Sequence, residues 1–411
     1  MFMGVDLSSA RSWIIPVVFG LGLGAAGVVA FSNRSSSAAP VTISNGVPEV
    51  VSSNPVVATP VKIIKLEPSD LTTGLPGMPG FRAENVYAFD AVGQFSPAVA
   101  GIPERVYVPD GKSNKLSVID PKTFKVIATY SVDREPQHVV PSYDLKTLYV
   151  VNDVGNTITP IDPKTATLGT PIKIQDPYNL YFTPDGQSAI IVAEYKRRLD
   201  FFDPHTWQKR SSLSVPCKGI NHMDFSSDGR FILAACEFSG DLVKIDLEAQ
   251  KVIGTLHIGG MPQDVKLSPD GKVFYVADMM ANGVHVIDAS KLEVLEFIAT
   301  GKGAHGVYPS RDAKYLYISN RGEGSVSVLE FATQKLVAKW QIPGGGSPDM
   351  GSVSADGRQL WLAGRNNGEV YVFDTSNGKL EKRIKVGRGP HGLTFFPQPG
   401  RYSLGHTGVY R

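Results

Sequence analysis

Cysteine is almost missing: the 411 residues contain two, Cys217 and Cys236. Disulfides therefore cannot be the main source of stability. An excess of one charge is missing as well. Lys and Arg number 41 against 39 Asp and Glu, a formal net charge of +2. That balance argues against a nucleic-acid partner held by phosphate neutralisation. The signatures of familiar catalysts do not occur either: no G-x-S-x-G, no Walker loop, no H-E-x-x-H and no C-x-x-C-H. No residue is marked as catalytic, and the chain reads as a binder before it reads as an enzyme.

Long apolar runs are also scarce, with one exception. "WIIPVVFGLGLGAAGVVAF" at 13–31 has 19 residues and no charge, close to the roughly 20 that span a bilayer. Secretory signal cores are shorter, at about 7–15 residues. The expectation is a tail over 1–12, then a single-pass signal anchor at 13–31 that ties the protein to the cytoplasmic membrane. A cleaved signal peptide is the alternative, since Ser37, Ala38 and Ala39 offer small residues beyond the run. No Cys follows it, which excludes a lipoprotein anchor, and no Arg pair precedes it, which argues against twin-arginine export. Residues 32–60 are rich in Ser, Ala, Pro and Val, the composition of a tether. Residues 61–100 read as an extension of the main domain, with "NVYAFDAVGQF" at 85–95 offering a strand. The remainder of the chain is then expected on the outer side of the membrane, periplasmic or extracellular. A secreted protein is the alternative.

What is plentiful is turn chemistry. The 42 Gly and 29 Pro exceed average usage and fall at regular intervals. From 104 onward a strand-like pentamer closing on an acid appears seven times, from "LSVID" at 116–120 to "VYVFD" at 370–374. The closing acids Asp120, Asp162, Asp203, Asp246, Asp288, Glu330 and Asp374 are spaced by 42, 41, 43, 42, 42 and 44 residues. Turns of the type "SPDGK" keep the same beat, carrying Asp144, Asp185, Asp228, Asp270, Asp312 and Asp356. At one per repeat, these acids are turn formers and not catalytic carboxylates. Each unit holds four alternating strands and no helical period. Such a unit cannot bury both faces alone, and radial packing solves that, so the fold predicted is all-β, a seven-bladed β-propeller over 101–400. Blade one lacks its inner strand, and "HGLTFF" at 391–396 is one strand too many. The C-terminal strand is expected to close the ring, with 85–95 as its competitor. The tail 401–411 lies outside the repeat.

The unit "SPDGKVFYVADMMANGVHVIDASKLEVL" resembles the YVTN-type (YncE-like) repeat of seven-bladed propellers. The resemblance covers about 104–396 and implies the fold. Its relatives include exported proteins, surface-layer proteins and the haem-binding propeller of nitrite reductases. It implies no catalytic residue.

A recurring "G-x-P-H-G" phrase leads into each inner strand, where side chains surround the channel. Read repeat by repeat, it places His138, Asn179, His222, Asp264, His305, Asp349 and His391 around one mouth. His138, His222, His305 and His391 are candidate ligands of a metal ion. His305 and His391 stand one residue earlier in the phrase than His138 and His222, and strand alternation works against all four sharing a centre. Three roles are therefore open: local capping of the loops, a polar funnel for a ligand, or a site for a metal or haem-type tetrapyrrole. Cys217 and Cys236 fall at one end of one blade. They read as a disulfide, as two free thiols, or as a metal site with His222. "EYKRR" at 194–198 is a basic cluster on the face of the histidines. Two functions follow. One is a membrane-tethered binding module for a protein or cell-envelope component, and the other is a metal- or tetrapyrrole-binding propeller.

Overall fold

A computed structural model describes residues 71–411. The expected anchor at 13–31 and tether at 32–60 lie outside the described residues. Among the described residues, no helix is long and apolar enough to cross a membrane.

Seven antiparallel sheets form the fold, one per repeat. Blade 4 shows the pattern, with strands Ile220–Phe225, Phe231–Cys236, Asp241–Asp246 and Lys251–His257 from inside outward. Its innermost strand is wholly buried, whereas its outermost alternates exposed and half-buried residues. Inner strands face neighbouring blades and the channel, and outer strands face water on one side. Blade 2 departs from the pattern: its outer strand is broken into Thr167–Leu168 and Ile172–Lys173.

The second marker of the repeat has a local cause. In each "S-x-D-G" turn the Ser hydroxyl donates to the Asp two residues on, as from Ser226 to Asp228 at 2.7 Å and Ser268 to Asp270 at 2.7 Å. The same Ser oxygen accepts the amide of the next strand, Phe231 or Val273, at 3.1 Å. The turn thus supplies its own partners for backbone groups that the ladder leaves open.

The ring is closed by the C-terminal strand. Thr394–Phe396 pairs with Arg105–Asp110 of blade 1, Phe396 opposite Arg105 and Thr394 opposite Tyr107. Residues 85–95 form no strand and run as turns, which corrects the alternative reading. Their hydrophobic residues act as anchors. Val86 and Tyr87 are buried, the Val86 amide donates to Pro269 O at 2.8 Å, and the Tyr87 hydroxyl donates to Leu267 O at 2.6 Å. The extension therefore lies over the "S-x-D-G" end of the ring.

The tail 401–411 enters the channel from that same end. It folds back on itself through the Ser403–Tyr410 bridge and the bond from Leu404 N to Val409 O at 2.7 Å. Tyr402, Leu404 and Val409 pack with the cores of blades 3 and 4, and Arg411 meets buried Asp224 at 3.0 Å. One end of the channel is filled by this hairpin.

Candidate metal centre

The other end is lined by the starts of the inner strands. In five blades the inner strand slips register there, between Pro136 and His138, Ile220 and Met223, Pro262 and Val265, Ala304 and Val307, and Pro348 and Gly351. A bulge frees successive side chains from strict alternation. That is why the one-residue offset between the histidine pairs does not separate them. Ring centroids run 5.4 Å from His138 to His222, 6.3 Å to His305, 5.7 Å to His391 and 4.8 Å back to His138. Four blades thus contribute one imidazole each to a closed circuit. Gly392 makes room for it: a Cβ there would lie 2.1 Å from His138 Cδ2.

The partners settle which nitrogens carry protons. His138 Nδ1 is 3.0 Å from Tyr178 O, and a carbonyl only accepts. Its Nε2 is therefore bare, and it faces His222 Nε2 at 3.3 Å. His391 Nδ1 donates to Asp349 Oδ2 at 2.8 Å, which leaves its Nε2 without a proton, an acceptor for the Tyr178 hydroxyl at 3.5 Å. His305 Nδ1 faces the other carboxylate oxygen at 3.1 Å, off the angle of a good hydrogen bond. His222 Nδ1 is buried with no hydrogen-bond partner. Imidazoles that give one N–H to a carbonyl or carboxylate and turn the other nitrogen inward have the arrangement of metal ligands.

The circuit is dry. His138 and His222 are fully buried, and His305 and His391 are 2% exposed. Burial, the largest influence, pushes His138, His222 and His305 well below the ordinary imidazole range and His391 down to about 4. The rings are neutral at neutral pH, the form that binds metals. Burial works against the charge of Asp349, yet His305, Arg321 and His391 around it hold it well below the usual carboxylate range.

Asn179 and Asp264 line the channel but play other parts. Asn179 Oδ1 accepts the Leu180 amide at 2.9 Å and its Nδ2 meets His406 Nδ1 at 2.9 Å. Asp264 joins blades 5 and 6 by accepting the Val307 amide at 3.0 Å. His406 went unread in the sequence because it lies outside the repeat; the short run "LGHTGVY" between glycines was its only signal. Arg321 and Arg365 were missed too. They sit in the turns between second and third strands and reach Asp349 at 3.2 and 3.8 Å, at the mouth above the rings. The other histidines, His205, His257 and His285, lie outside the circuit, the last two beside Asp241 and Asp278.

Cys217 and Cys236 form a disulfide, with Cα atoms 6.0 Å apart. It fastens the loop entering the strand of His222 to the end of the next strand, and it removes both sulfurs from metal binding. A tetrapyrrole does not fit among the four rings, whose centroids are at most 6.3 Å apart along the circuit. A bare ion does.

The model of YncE-like β-propellers matches residues 86–399. The chain belongs to the YncE-like β-propeller family. Antigen Lp49 of Leptospira interrogans is 21% identical over 333 residues, 74% of this chain and 72% of that one. The uncharacterized protein YncE of Salmonella typhi is 23% identical over 273 residues, 60% and 73% of the two chains. Among solved structures, the dihydro-heme d1 dehydrogenase NirN in complex with DHE superposes with a TM-score of 0.56 at 15% identity, covering 79% of this chain and 78% of that one. That likeness is one of fold.

Proposed function

We propose that this propeller is a binding module for a single transition-metal ion, held between the imidazoles of His138 and His222, with the rings of His305 and His391 beside them. The observation that carries the reading is the facing pair His138 Nε2 and His222 Nε2, 3.3 Å apart, one of them bare. Two nitrogens on one tetrahedral ion at about 2.0–2.1 Å stand about that far apart. Neutral imidazoles suit Zn and Cu ions. Tyr178 O and Asp349 act from behind, fixing the outer nitrogens of His138 and His391. The uncharged run at 13–31 supports a membrane tether, and the disulfide suits an oxidising compartment outside the cytoplasm.

The test is calorimetric titration of metal-free protein with Zn²⁺ and Cu²⁺. One ion per chain is expected, and His222→Ala should weaken it at least about 100-fold. His257→Ala, at an exposed histidine beside Asp241, should change nothing. Equal affinities in wild type and His222→Ala would overturn the proposal.

A second reading, docking of a protein or envelope component, draws on the mouth rim. Tyr195, Phe238 and Met280 occupy the same turn position in three adjacent blades and are 75%, 61% and 66% exposed. The equivalent residues of blades 6 and 7 are Gly322 and Asn366. An apolar arc of this kind, beside basic Lys196, Arg197 and Lys218, is a surface suited to an acidic partner.

A further inference from the structure

Ring closure is complete at Phe396, so the propeller does not need the hairpin beyond it. Yet that segment is built into the channel with care. The Phe182 amide donates to Leu404 O at 3.0 Å, and the His406 amide donates to Leu180 O at 2.9 Å, which adds the hairpin to the inner edge of blade 3. Gly405, at φ +100°, presses so closely that a Cβ would meet Leu180 O at 2.5 Å. His406 itself adopts the left-handed conformation at φ +53°, uncommon for a residue with a side chain. The result is a buried imidazole aimed at the floor of the circuit. Its ring centroid is 5.2 Å from that of His138 and 4.9 Å from that of His222. Ligand nitrogens of the three residues all lie within 4.8 Å of one another.

We infer that His406 is a further ligand of the channel ion, so that occupancy of the centre and seating of the 401–411 hairpin are linked. This rests on the metal-binding reading above. Asn179 Nδ2 donates to His406 Nδ1, which leaves the His406 proton on Nε2, 3.7 Å from Asp264 Oδ1. Nε2 has no hydrogen-bond partner there. An ion taken up on Nδ1 replaces the Asn179 amide and leaves the Nε2–H turned to Asp264. That is the carboxylate–imidazole–metal order of established metal sites. No proton need leave and no redox change is involved. By linkage, whatever binds the seated state stabilises it.

The experiment uses the full chain and Zn²⁺ alone. Hydrogen exchange of the 402–411 amides should slow at least tenfold on adding Zn²⁺, and by more than exchange in the outer strands. His406→Ala should weaken Zn²⁺ binding at least tenfold, keep any remaining binding at one ion, and abolish the extra protection of the hairpin. Wild-type affinity in His406→Ala, or a hairpin indifferent to Zn²⁺ in the wild type, overturns the inference while the His138–His222 centre stands. No Zn²⁺ binding by wild type overturns both. The exchange measurement on wild type decides the matter even where the variant fails to fold.

Discussion

Asp110 shows how one buried carboxyl can bias the whole fold against neutral pH. It ends the strand Arg105–Asp110 of blade 1, is fully buried, and accepts the Ser117 hydroxyl at 2.7 Å. Blades 2 and 6 place Asn152 and Asn320 at the same point, and each donates to two hydroxyls of the facing strand. Burial pushes Asp110 up from 3.8 to about 6. Folding therefore takes up a proton between about pH 4 and 6. The stability tied to that proton is complete below about pH 4 and is lost as pH rises through about 6. Asp110→Asn should be more stable than wild type at pH 7, by roughly 3 kcal/mol, with the gain vanishing near pH 4. Denaturant unfolding across that range measures it, and a pH-independent difference would refute it. The histidines teach a related lesson about reading residues. Their place at the channel was legible because one phrase recurs at one period. Their convergence was not, since it depends on bulges that add no distinctive residue type. His406 escaped because no repeat frames it.

Among elements, blade 4 carries the one covalent tie of the described residues. The Cys217–Cys236 bridge closes a loop of sequence separation 19, and Ile220, two residues before His222, pairs directly with Cys236. Cross-linking a loop of that length is worth about 3 kcal/mol. A double Cys217→Ser, Cys236→Ser variant should lose about 2–4 kcal/mol in urea unfolding. Wild type with reductant should then match it, whereas identical curves with and without reductant would show that the tie contributes nothing. The strands themselves were nearly all legible, because period-two alternation and "S-x-D-G" turns are local signals. The stretch 85–95 was not. Its apolar residues imitate a strand, but Val86 and Tyr87 serve as two anchors at blade 5, and the rest is paired only by an isolated bridge from Phe95 to Gly400.

For the whole molecule, the architecture followed from a beat of about 42 residues, whereas the filled channel had no counterpart in the repeat. The apolar run at 13–31 makes a further expectation at this scale. Full-length protein should sediment with membranes and be digested by protease added outside the cytoplasmic membrane; a protease-protected cytosolic pool would refute that. The closing strand carries a consequence of its own. His391 stands three residues before Thr394–Phe396, and His138 precedes it by more than 250 residues. During synthesis, a nascent chain can present His138, His222 and His305 long before His391 emerges. The circuit of imidazoles thus becomes whole only when the last blade meets the first. A truncated product of translation that stops short of His391 lacks that residue and His406 alike, and so never has the finished channel.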